Sequence, residues 1–433
     1  MSESVVPKPG SERSVLLLLA AGLFAIGTDG YVITGLLSPI GADLGVGTAA
    51  AGRLVTVFAL AYAVGAPVAG ALTARFSRRG VLLVSLAGFA AANIATAVVR
   101  DYDTMLAARV LAALTAAAFT PAASAAAATL VTAERRGRAL ATVGAGISVA
   151  TAVGVPLGTL VGGWLGWRAT FAGVSVLATI TAIGLVALLP PIPAGAEQTT
   201  TGSIAFASMR VWAALLLTAT WIAGAFTVLT FIGPVLGSAA GVHETALSGW
   251  LLIFGVAAVV GNTLGGRAAD RYPTVRLLPI STAGLAVALA ILGLLCSTGG
   301  PGRLGAVLAA VAMIGWGIFG WSFAPIQQHR LVDLAPSAAG IVLSLNASAV
   351  YVGISAGSLA GSFALDRIGT AGVAWTGALI ELAAVTIAIA TVRGRPSPHR
   401  RIAIELRPEE KEQVSKPMMA TNSENLHDGR RQY

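Results

Sequence analysis

Between residues 15 and 392 the chain repeats one pattern. An apolar run of about 20 residues or more, enough for a membrane helix, gives way to a short break marked by charge or by Pro and Gly. The runs fall at roughly 15–38, 51–73, 80–99, 103–130, 139–163, 169–189, 212–237, 246–266, 275–296, 303–328, 338–364 and 371–392. The breaks read GADLGVG, RFSRRG, RDYD, TAERRGR, GWRA, AGVHE, DRYPTVR, GGPGR, VDLAPS and DRIGT. Each run can cross a hydrocarbon core of ~30 Å as a helix. Inside lipid each backbone polar group needs a partner in its own segment, which favours helices. The pattern predicts an all-α membrane protein with twelve transmembrane helices. Residues 1–14 are polar, the first run is too long for a signal core, and no small-residue cleavage site closes it, so no cleavable leader is expected.

Composition agrees: of 433 residues, 56% are hydrophobic and only 11% charged. Charge then sets orientation. With the N-terminus inside, 22 of the 28 Lys and Arg fall in cytoplasmic segments, five fall outside, and Arg109 lies within a run. Basic residues collect in cytoplasmic loops. Both termini are therefore expected inside the cell membrane, and the net charge of +9 reflects topology rather than a nucleic-acid partner. The single cysteine, Cys296, excludes an internal disulfide and a cysteine-rich metal site. The four histidines are not spaced as metal pairs, so neither metal nor cofactor is expected. There is no Gly-Lys-Ser/Thr phosphate loop and no serine elbow, which argues against an enzyme or a self-contained ATPase.

Two features recur at nearly one offset. GALTARFSRR follows span two and GGRAADRY follows span eight, with Gly70 and Gly266 196 residues apart. Small residues recur every fourth position at Gly154, Gly158 and Gly162 in span five, beside Pro156, and at Gly353, Gly357 and Gly361 in span eleven. Such stripes let another helix approach closely, and Gly158 and Gly357 differ by 199. The chain is expected to fold as two pseudo-symmetric bundles of six helices, 15–189 and 212–393. A cytoplasmic N-terminus (1–14), a linker (190–211) and a disordered tail (394–433), with a short helix near 405–413, complete it.

At this point the chain resembles the major facilitator superfamily. That family's turn after spans two and eight reads G-x-L-x-D-R-x-G-R-[RK]. Here Gly70, Leu72, Arg75, Arg78 and Arg79 keep part of it, Ala74 stands in place of the Asp, and the second copy keeps Gly266, Asp270 and Arg271. GTDGYVITGLLSPIGADLGV, AARVLAAL, GVPLGTLVGGWLGWRATF and VVGNTLGGRAADR are similar to the bacterial twelve-span drug:proton antiporters, the sugar-efflux and chloramphenicol-efflux branch. Gly154-Val155-Pro156 interrupts that branch's usual Gly-Pro pair. The resemblance implies the major facilitator fold, proton coupling at Arg109, and cytoplasmic turns that act as gates. It also implies that the turn aspartate pairs across to span eleven in the outward-open state, which Asp270 can do and Ala74 cannot.

Ionisable groups inside a span are costly and therefore functional candidates. Asp29 lies midway along span one, where burial disfavours its charge and suits a proton carrier, or where it bonds a neighbouring helix. Arg109 needs a carboxylate, a carbonyl or water, and Asp29 is the expected partner; an arginine snorkelling to the outer surface is the alternative. Glu381 in span twelve is a second proton site, a cavity charge or a structural acid. The expected cavity comprises Tyr31, Tyr62, Phe226, Thr230, Trp316, Phe319, Asn346 and Tyr351, with the aromatic-dense Trp316–Phe323 stretch as an apolar wall; plain helix packing is the alternative for the aromatics, and a hydrogen bond between helices the alternative for Asn346. The expected activity is proton-coupled efflux of a small, largely apolar drug, antibiotic or metabolite by a monomer in the bilayer. The alternatives are a sugar or metabolite transporter on the same fold and a non-transporting sensor.

Overall fold

The computed structural model describes residues 9–73, 75–132, 135–192, 208–300 and 302–393. Among them twelve helices are long and apolar enough to cross a membrane: α1 (Glu12–Gly35), α2 (Thr48–Ala69), α3 (Arg78–Val98), α4 (Tyr102–Thr129), α5 (Arg136–Leu165), α6 (Trp167–Leu188), α7 (Met209–Leu229), α8 (Ala246–Arg271), α9 (Thr274–Thr298), α10 (Arg303–Leu334), α11 (Ala339–Ile368) and α12 (Thr370–Thr391). No strand occurs among the described residues. Polar residues in the breaks cap the helices. The Ser77 hydroxyl accepts from the Gly80 amide at the start of α3, and Asp101 accepts from the Thr104 amide at 2.8 Å at the start of α4. Ala74, most of the 190–211 linker and the whole 394–433 tail, including the helix expected near 405–413, lie outside the described residues.

Four helices depart from the sequence reading. Span one turns through a short 3₁₀ segment, Ile33–Gly35, and resumes as Leu37–Asp43. Span seven likewise stops at Leu229 and resumes as Ile232–Ala240. Proline explains both: it lacks an N–H and its ring crowds the carbonyl four residues back. Those carbonyls belong to Gly35, below Pro39, and Thr230, below Pro234. In α5, Pro156 is relieved by a wider turn over Ala150–Gly154, a π-bulge. Finally, α10 meets no Pro or Gly between Pro325 and Pro336 and continues to Leu334, so Arg330 is a buried helical residue rather than a loop charge.

The packing repeats. In the first six helices α1 packs on α5, α2 on α4, and α3 on α4. In the second six α7 packs on α11, α8 on α10, and α9 on α10, the same pairs six helices on. The main contacts between the sets are α2 with α11 and α5 with α8, which the same symmetry relates, and the continuations of spans one and seven also meet. Contacts join the described residues up to Ala390 into one compact unit. Its apolar core is divided unevenly. One cluster joins both sets of helices, from Val32, Leu36 and Leu54 to Phe231, Ile232 and Leu251. At the opposite end the clusters are separate. One holds Val15, Leu86 and Leu130 of the first six helices, and the other Val211, Leu331 and Val342 of the second six.

The candidate site between the two sets of helices

The glycine stripes decide how closely α5 and α11 approach their partners. A Cβ at Gly154, Gly158 or Gly162 would meet Thr28, Val32 or Leu36 of α1 in turn. A Cβ at Gly357 or Gly361 would meet the carbonyl of Ala223 or Thr227 of α7, and at Gly353 the Ile222 side chain. Backbone contact on α5 thus presses Thr28, and with it Asp29, into the interior.

Asp29 is fully buried, and so is Arg109 of α4. Arg109 Nη1 donates to Asp29 Oδ1 at 2.6 Å, so the partner for Arg109 is the carboxylate and not the outer surface. The guanidinium lies over the Phe58 ring of α2 at 4.4 Å from its centroid and over Phe171 of α6 at 5.7 Å. Such rings favour a cation by their electrostatic face. Asp29 Oδ2 and Arg109 Nε have no protein hydrogen-bond partner, although both are buried. A charge pair this deep is costly to bury and still more costly to break.

Around the pair stands a set of aromatic side chains drawn from both sets of helices. Tyr62 of α2 stacks on Tyr351 of α11 with ring centroids 3.6 Å apart. Tyr31 of α1 meets Phe226 of α7 at 5.9 Å. Tyr351 lies within electrostatic range of Asp29. Thr230, at the break after α7, is buried with its hydroxyl unpartnered. Tyr31, Tyr62, Phe226 and Tyr351 therefore come together as one wall around Asp29. Phe58 and Phe171 complete the setting of the guanidinium. Phe58 stood among the sequence's many membrane aromatics without distinction, and Phe171 carried no signal at all.

Other expected cavity residues go elsewhere. Phe319 is 38% exposed and lies on Gly284 of α9, because its position on α10 turns it towards that helix. Trp316 is buried edge-on against Phe254 of α8 at 5.2 Å, and Phe323 stacks on Trp221 of α7 at 4.2 Å. The dense stretch of α10 is thus shared between packing on α7, on α8 and on α9. Asn346 accepts from the Thr218 hydroxyl at 2.8 Å, and Gln327 donates to that hydroxyl at 3.1 Å. This buried amide network ties α7, α10 and α11, and neither Thr218 nor Gln327 stood out in the sequence as part of it. Glu381 is fully buried against Gly224 of α7.

The basic turn is partly engaged. Arg79 donates to the Val186 carbonyl of α6 at 2.7 Å, within its own set of helices. Arg75 is exposed over Phe76, and Arg78 opens α3. At the equivalent turn a Cβ on Gly266 would stand 4.0 Å from Pro325 of α10, and Asp270 and Arg271 are exposed. Asp270 takes part in none of the three ion pairs found among the described residues. At the other end of the molecule Arg168 pairs with Asp43 and donates to the Val99 carbonyl, closing the loops there.

A family model described as Major Facilitator Superfamily matches residues 19–358. A chloramphenicol resistance protein of Streptomyces lividans is 35% identical over 86% of this chain and 95% of its own. An uncharacterised MFS-type transporter of Bacillus subtilis is 30% identical over 88% and 96%. A probable sugar efflux transporter of Mannheimia succiniciproducens is 29% identical over 84% and 90%. Among solved structures, an inward-facing, occupied bacterial homologue of the human lysosomal transporter Spinster aligns with a TM-score of 0.75 at 18% identity, covering 90% of this chain and all of that one. A D-xylose–proton symporter aligns at 0.73 and 16% identity, covering 87% and 97%.

Proposed function

The chain belongs to the Major Facilitator Superfamily, and from that premise we propose that it exports a small, largely apolar compound in exchange for protons. The carrying observation is the buried Asp29–Arg109 pair, half satisfied and walled by aromatic side chains from both sets of helices. On this reading Asp29 carries its charge while it is paired with Arg109. A proton on the carboxylate would cancel its charge and free Arg109 to fall back on the Phe58 and Phe171 faces. The pair would thus exist in two arrangements, and α1 and α4 with it. A bound molecule lying on Tyr31, Tyr62, Tyr351 and Phe226 favours one arrangement, and the proton favours the other. Alternating access around a midplane site then couples the two gradients. The efflux and resistance proteins among its relatives support the outward direction.

The test is a compound panel in everted vesicles. Uptake that a protonophore abolishes is expected for at least one apolar compound. No gradient-dependent uptake of any compound would sink the reading. A second reading, export of a sugar, is favoured by the three tyrosine hydroxyls of the wall and by the sugar-efflux relative. The same vesicles loaded with sugars in place of drugs separate the two.

A further inference from the structure

We propose that Glu381 is a second proton-binding carboxyl, held with its proton in the seam between α7 and α12 and able to lose it only when α7 draws away. Its side chain is fully buried, and neither carboxyl oxygen has a hydrogen-bond partner among the described residues. The seat is tight. A Cβ on Gly224 would stand 2.6 Å from Glu381 Oε1 and 2.9 Å from Cδ, which leaves no room for water between them. One turn earlier on α12, a Cβ on Gly377 would stand 2.7 Å from Val228 and 3.0 Å from the Gly224 carbonyl. Two glycines therefore let the helix backbones close around the carboxyl.

No counter-charge faces it. The helices packed on this part of α12 are α7 and α9, through Gly224, Val228 and Leu289. Residues 211–229 of α7 and 277–295 of α9 contain no titratable side chain. Arg210, Arg276 and Cys296 stand at the ends of those helices, Asp366 and Arg367 at the end of α11, and Arg393 just past α12. A carboxylate in this seat would be an isolated buried charge, which proteins avoid by neutralising the group. The neutral acid is far cheaper to bury. Glu381 also lies apart from the substrate wall. Phe226, which faces Tyr31, is two residues on from Gly224, and two residues on a helix diverge by about 200°. The carboxyl thus sits behind α7, on the face turned away from Asp29.

The two acids are in opposite protonation states within one conformation. Asp29 is charged beside its arginine, and Glu381 is neutral without one. When the seam opens, the Glu381 O–H passes its proton to entering water and leaves a carboxylate. When the seam closes, the carboxylate takes a proton back. Closure of α7 on α12 therefore carries a proton dependence of its own. The proposal rests on the proton-coupled reading only for its effect on stoichiometry, and infrared spectra of the purified protein in lipid test the protonation itself. A carboxylic C=O band is expected that persists above the pH at which free glutamate ionises, that is lost in Glu381→Gln, and that is retained in Asp29→Asn. Glutamine has the shape of the neutral acid, so this variant is expected to fold. A band unchanged by Glu381→Gln, or loss of a carboxylate band in its place, would overturn the proposal. Neither result bears on Asp29.

Discussion

Asp29 spends one oxygen on Arg109 and leaves Oδ2 with no protein partner, buried at the seam between the two sets of helices. Under the proposed function that unmet lone pair is where a proton can be taken up, since a partly satisfied buried polar pair is costly to keep. Asp29→Asn keeps an acceptor for Nη1 but removes the charge, leaving an uncompensated guanidinium. Removing one partner of a buried pair costs about 3–5 kcal/mol. We expect a less stable but folded protein that has lost uphill, proton-driven transport and retains exchange of substrate for substrate. Uphill transport at the parent rate would remove Asp29 from the mechanism. Arg109→Lys keeps the charge but loses the planar stacking on Phe58, and its transport should fall although the ion pair can re-form. This pair was legible in the sequence, because two opposite charges inside apolar runs have few other partners to choose. The neighbours of Phe319 and Asn346 were not legible for a converse reason. Residue type says that an aromatic or an amide is buried, but only helix rotation says against what, and α10 and α11 each offer several neighbours.

At the scale of elements, α11 is held to α7 by bare backbone. Gly357 lies so near the Ala223 carbonyl that a methyl group cannot be added without moving one helix. Gly340, in the same helix, has open space where a Cβ would be. Gly357→Ala should therefore cost about 1–3 kcal/mol by overpacking. Gly340→Ala should be neutral or slightly stabilising, since Ala is the better helix former. Thermal unfolding of the two purified variants makes the comparison, and equal Tm values would refute the close-contact account. The stripes themselves were plain in the sequence because their period matches the helix. The breaks in α1 and α7 were not read there, although Pro39 and Pro234 mark them. A proline in a membrane span can bend, kink or end a helix, and the choice depends on which neighbours satisfy the freed carbonyl. At Thr34 and Thr230 the breaks sit 196 residues apart, the offset of Gly70 and Gly266. The duplication therefore extends to the places where the helices yield.

The whole molecule is closed at one end and parted at the other. Ser358 of α11 donates to the Gly52 carbonyl of α2 at 2.9 Å, and the residues through which the apolar cluster joins the two sets, such as Leu36, Leu54, Phe231 and Ile232, lie at the same end. On the orientation that the arginines favour, this end is external and the state is inward-open. The unmade latch at Asp270 fits, because the family's turn is expected to engage only when the cytoplasmic end closes. Ser358 is fully buried in this state and should be bared when the outer end opens. With only one native cysteine, Cys296→Ser provides a clean background for Ser358→Cys. A membrane-impermeant thiol reagent applied outside should label this cysteine slowly in the resting protein, and faster as the outward-open population grows. The family resemblance places a latch aspartate where this chain has Ala74, which implies one latch acid here where a symmetric relative would have two. Ala74→Asp supplies the second and should favour the cytoplasm-closed state. The expected outcome is faster external labelling at Ser358→Cys in the Ala74→Asp background. An unchanged rate would mean that the basic turn sets topology alone and that the outer contacts between α2 and α11 govern the balance.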